Sequence, residues 1–185
     1  MRLLALDLSK SSTGWACWAS GEENPASGTW ELGSAFTSDG LTYCALHGRL
    51  IDLGALGHID AVFYEEPLTQ AAVAGRSNID TLRILTCLAG HVQSWAEVHG
   101  CGLIQPVPMA TWRRHFLGKM PRATKSAQLK DYAMERCRQL GFRPRKHDEA
   151  EALGILDYAC EALPRPVTPP WRAGEVLRPA LGGVA

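Results

Sequence analysis

Residues 2–8, Arg-Leu-Leu-Ala-Leu-Asp-Leu, form an apolar run that closes around an acid. A strand apolar on both faces is a central strand covered on both sides by helices, so this run points to an α/β fold built around a buried sheet. Asp7 sits at the end of the run, and burying an unpaired carboxylate is costly unless a cation or good hydrogen bonds meet it. Either Asp7 only caps a turn, or it is held rigidly there to bind something positive.

The pattern downstream completes the sheet. The turn-rich Ser-Lys-Ser-Ser-Thr is followed by strand-like stretches over 13–20 and 28–36, joined by turns too short for a crossover helix, which predicts a three-stranded antiparallel meander. Three- and four-residue leucine spacings predict a helix over 41–56, then a strand over 59–65 stopped by Pro67. A long helix over 78–99, a short strand over 102–107 and helices over 109–117, 124–140 and 147–162 follow. The expected architecture is a mixed five-stranded sheet, three strands antiparallel and two parallel, flanked by helices. One domain spans 1–162, and the Pro-rich stretch 163–185 reads as a flexible tail.

Carboxylates recur where these elements end. Asp7 closes the first strand, Glu65 the fourth, and Asp148 and Glu151 open the last helix three residues apart, on one helix face. Glu65 is preferred to Glu66 because side chains alternate along a strand and Glu65 stands at the end of its apolar run as Asp7 does. Each acid alone is more simply a helix cap or a strand end. Together they form the oxygen-rich set that hard divalent cations take, and two such ions about 4 Å apart clamp both reacting oxygens of a phosphodiester.

A formal net charge of zero conceals a division along the chain. Residues 1–112 carry 5 basic and 11 acidic side chains, residues 113–146 carry 11 and 2, and residues 147–185 carry 3 and 6. A basic block between acidic regions suits a protein that grips a polyanion while gathering carboxylates around a metal. The candidate phosphate contacts are Lys10, Arg113, Arg114, Lys119, Arg122, Lys125 and Lys130. Trp15, Trp18 and Trp30 read as core, whereas Trp112, at a helix start, is the tryptophan with the better claim to the surface. The six cysteines contain no Cys-x-x-Cys pair and read as reduced thiols. With no secretory leader and no apolar stretch near the roughly 18 residues that span a bilayer, a cytoplasmic protein is expected.

With these residues in view, the sequence resembles the RuvC-type Holliday junction resolvases of the ribonuclease H-like superfamily, and most of all their phage-encoded branch. LALDLSKSSTGWA, with Thr13 and Gly14 six residues beyond the acid, is similar to the family's first-strand motif. VFYEE resembles its second-acid motif, DEAEAL its closing helix, and PVPMATWRRHFLGK with ATKSAQLKDYA the segment between them. The resemblance covers roughly residues 2–160. It departs at Leu8 and Ser9, which stand where the family has Pro-Gly, at Glu151 in place of Asp, and at Leu68, where bacterial members often carry an aromatic wedge.

The resemblance implies a homodimer that cuts four-way or other branched DNA by paired nicks, in a bacterial or phage-infected bacterial cell. It implies two Mg²⁺ or Mn²⁺ ions per site on Asp7, Glu65, Asp148 and Glu151, with Lys125 on the scissile phosphate. His147 is a minor candidate for proton transfer and more simply begins the last helix. Rival readings are a monomeric ribonuclease H-like nuclease acting on RNA, a noncatalytic junction-binding protein, and an actin-like or sugar-kinase ATPase. The last normally needs two such lobes and a glycine where Ser9 stands.

Overall fold

The computed structural model describes residues 1–67, 79–121 and 123–173. Its sheet contains β1 (Arg2–Asp7), β2 (Thr13–Ala19), β3 (Ala26–Trp30), β4 (Ala61–Glu65) and β5 (Leu103–Val107), in the order β3-β2-β1-β4-β5. β1 pairs antiparallel with β2 and parallel with β4, β2 pairs antiparallel with β3, and β4 pairs parallel with β5. The central position of β1 follows from its composition: Leu3, Leu4, Ala5 and Leu6 are all fully buried. The helices are α1 (Asp39–Ala55), α2 (Ile79–Val98), α3 (Met109–Leu117), α4 (Ser126–Gln139) and α5 (His147–Ala162). None of those described is long and apolar enough to cross a membrane.

The two faces of the sheet carry separate cores. Leu4, Leu6, Val62 and Tyr64 pack with α1 and α2, whereas Leu3, Ala5, Phe63 and Val107 pack with α3, α4 and α5. Since side chains alternate along a strand, Asp7 shares the parity of Leu3 and Ala5, and Glu65 that of Ala61 and Phe63. Both acids therefore belong to the face that α5 covers. α5 is buried nearly all round, from Glu149 to Asp157 without a break, which makes it the central helix of that layer.

Two sequence expectations are corrected. The third strand was expected over 28–36, but β3 runs Ala26–Trp30. Its partner β2 begins at Thr13, opposite Trp30, so the backbone beyond has nothing to pair with. The burial of Leu32 at 4% explains the strand-like pattern there. Trp112 is not a surface residue: it is fully buried, four residues from Phe116, and both pack on α5 at Gly154. A Cβ on Gly154 would lie 2.8 Å from the Trp112 ring and 2.9 Å from that of Phe116. Beyond α5 the described residues run to Ala173. Trp171 packs edge-on against Trp18 and Phe142, with ring centroids 5.3 and 5.4 Å apart, and residues 174–185 lie outside the described residues.

Candidate metal centre

The register brings the acids together. β1 and β4 run parallel, with Leu6 beside Tyr64, so Asp7 and Glu65 emerge from the same end of the sheet. The first turn of α5 crosses that end and supplies Asp148 and Glu151. One ligand oxygen from each of Asp7, Asp148 and Glu151 lies within 4.8 Å of the others. Glu65 stands beside this trio and is held by Trp112, whose Nε1–H donates to its Oε2 at 2.8 Å. Glu66 is exposed and turns with Tyr64 to the other face, where both line a cavity against α2.

Crowding shows in the electrostatics. Burial, then the charges of Glu65, Glu151 and Asp148, raise the Asp7 pKa well above the ordinary aspartate value. Burial also raises that of Glu65, against the opposing pull of the Trp112 hydrogen bond and the Arg113 charge. Two side chains of the basic block lie inside the cluster. Arg113 bonds Glu151 Oε1 through Nη2, and Lys130 Nζ lies 3.4 Å from Glu151 Oε2 and 3.6 Å from Asp148 Oδ1. Burial works against the Lys130 charge, but Glu151, Asp148 and Asp7 outweigh it and raise its pKa.

The remaining candidates are dispersed. Lys125 is exposed at the N-cap of α4, more than a turn before Lys130, which is the α4 lysine that reaches the carboxylates. Lys10 pairs with Asp39 at 3.2 Å. Arg114 and Lys119 are exposed. Arg122 and Leu68 lie outside the described residues. His147 faces Asp131, with Nε2 to Oδ1 at 3.3 Å, and opens α5 without joining the cluster.

Sequence reasoning missed the link from Trp112 to Glu65 and the seating of Lys130. Signals for both exist: Trp112 and Phe116 are four apart on a core stripe, and Lys130, Ala133 and Cys137 continue the buried stripe of α4.

Three carboxylate oxygens converging beside a fourth acid, with the Asp7 pKa raised by burial and by its neighbouring carboxylates, form a donor set that fits a hard divalent cation such as Mg²⁺ or Mn²⁺. Arg113 and Lys130 offset part of the negative charge and place positive charge where a phosphate would approach.

No protein-family model matches the sequence, and no curated protein matches it in sequence. Solved structures do match in fold. The RuvC of Thermus thermophilus in complex with a Holliday junction substrate superposes with a TM-score of 0.61 at 16% identity, over 84% of this chain and 89% of that one. A second structure of Thermus thermophilus RuvC gives 0.58 at 15% identity, over 84% and 90%. The yeast mitochondrial Holliday junction resolvase gives 0.50 at 11% identity, over 83% and 75%. At these identities the likeness is one of fold, and the mixed five-stranded sheet flanked by helices is the ribonuclease H-like fold expected from the sequence.

Proposed function

We propose that the protein is a metal-dependent, structure-specific endodeoxyribonuclease that cuts branched DNA, four-way junctions among its substrates, by phosphodiester hydrolysis. The observation that carries this reading is the convergence of Asp7, Asp148 and Glu151 within 4.8 Å at one end of the sheet. The shared fold with a RuvC solved on a Holliday junction supports the choice of substrate. On this reading Asp7, Asp148 and Glu151, with Glu65, hold Mg²⁺ or Mn²⁺. The bound ion supplies an activated water and stabilises charge on the leaving 3′ oxygen.

The chain's own residues set up that chemistry. The Trp112 bond fixes the orientation of Glu65. Arg113 and Lys130 hold the Glu151 carboxylate and meet the charge of the scissile phosphate. Arg114, Lys119 and Lys125, exposed around this end, bind flanking phosphates and position the strand without reading its sequence. A homodimer supplies the two sites that paired nicks in a four-way junction require.

Incubation in Mg²⁺ with a synthetic four-way junction, a flap, a plain duplex and a structured RNA tests this reading. Cleavage of the branched DNAs above the duplex and the RNA is expected, with none by Asp7→Asn. Cleavage confined to RNA, or metal-independent binding with no cleavage of any substrate, would sink it.

A further inference from the structure

We propose that the cavity between α3, the turn at Gly118–Met120 and α4 receives a base unstacked from the DNA strand being cut, an inference that rests on the nuclease reading above. The cavity is open to solvent and offers about 590 Å³, within the range of roughly 300–1,000 Å³ typical of small-molecule sites. Met109, Ala110, Met120 and Leu129 give it an apolar wall, and Arg114 and Lys119 add positive charge.

Its position relative to the carboxylates is fixed by two residues. Arg113 lines the cavity and also bonds Glu151. Leu129 lines it from α4, and the next residue, Lys130, stands 3.4 Å from Glu151. One layer of side chains thus separates the cavity from the candidate metal centre. A strand with its phosphate at the carboxylates has a neighbouring nucleotide at the cavity.

The chemistry of the lining selects the occupant. A nucleobase is flat, aromatic and uncharged, and polarizable thioethers such as those of Met109 and Met120 make favourable contacts with aromatic rings. The phosphates on either side of that base need cations, and Arg114 and Lys119 have no ion-pair partner among the described residues. Apolar and thioether surface beside a basic rim suits a base together with its flanking phosphates. A branch point supplies such a base, because unstacking costs least where pairing is already interrupted.

The test first maps the cut that the wild-type protein makes in a synthetic four-way junction in Mg²⁺. The base on each side of the cut is then deleted in turn, and cleavage of intact and abasic junctions is compared for wild type, Met120→Trp and Ala110→Phe. The larger side chains fill the cavity, and thermal unfolding checks that both variants fold. Removing one of the two bases is expected to slow wild-type cleavage about tenfold, the loss of its contacts with the two thioethers. The filled variants are expected to cut the intact junction about as slowly as wild type cuts the abasic one, with no further loss on the abasic junction. Equal wild-type cleavage of intact and abasic junctions overturns the cavity assignment and leaves the nuclease reading standing, and this comparison needs no variant. An undiminished abasic penalty in the filled variants overturns it likewise. Absence of any metal-dependent cut overturns both.

Discussion

A Cβ placed on Gly14 would lie 1.9 Å from the backbone carbonyl oxygen of Asp148. Gly14 is the register partner of Asp7, so β2 meets the first turn of α5 backbone to backbone right beside the candidate metal centre. The spacing of Asp7 and Asp148 therefore depends on the side chain that Gly14 lacks. Gly14→Ala must push α5 away, at a cost of about 1–3 kcal/mol by the usual toll of overpacking. Urea unfolding should show that loss, and cleavage should fall further than the stability loss alone explains. A variant with unchanged midpoint and activity would contradict this packing.

Asp7→Asn should stabilise the metal-free protein at neutral pH. The folded-state pKa of Asp7 is raised above the ordinary value of 3.8, so the folded chain binds a proton that the unfolded chain has released. Stability from this group therefore falls as pH rises through the raised pKa, and above it the ionised carboxyl carries its full penalty. Thermal unfolding in EDTA should place Asp7→Asn above wild type at pH 7, with the gain shrinking toward pH 4. Adding Mn²⁺ should raise wild type and leave Asp7→Asn unmoved.

The first strand, the mixed five-stranded sheet and the acids at the ends of its strands and last helix were legible because a doubly buried strand, a strand-ending acid and two acids three apart on a helix are local patterns. What was not legible is what distant segments do to one another. The third strand ends at Trp30 because β2 has no residue left to offer, a fact about a neighbour. Trp112 looked superficial at a helix start, yet Gly154 opens a place for it against α5 and Glu65 takes its hydrogen bond. Lys130 did not stand out from the other basic residues because charge alone does not tell which of them a helix turns toward the carboxylates.

Asp157 should prove the anchor of the segment beyond α5. It is buried at 2% exposure and accepts from His115 Nε2 at 3.0 Å, Trp171 Nε1 at 3.0 Å and Arg172 Nε at 2.7 Å. Burial pushes its pKa up, but the bonds from Arg172 and His115 prevail and hold it well below the ordinary range. Its contribution is therefore present above the unfolded pKa and lost as pH falls toward the depressed one. Asp157→Asn removes a buried charge that His115 and Arg172 both bond, and should cost about 3–5 kcal/mol. Chemical unfolding measures the loss, and limited proteolysis should cut within 163–173 in the variant only.

Lys130 and Lys125 should separate into two roles. Lys130→Met removes the amine that faces Asp148 and Glu151 and should lower cleavage about a hundredfold with little change in junction affinity. Lys125→Met, on an exposed residue, should weaken binding and reduce the salt slope by about one. Single-turnover cleavage beside binding in Ca²⁺ distinguishes them, and equal effects on both quantities would remove the distinction.

The most direct measurement is cleavage of one synthetic four-way junction by metal-free protein as Mg²⁺ is titrated in, with Asp7→Asn alongside. The carboxylate cluster predicts no cut without metal, nicks that appear and saturate with Mg²⁺, and no cleavage by the variant. An uncut junction at saturating Mg²⁺, or equal cleavage by Asp7→Asn, would contradict it.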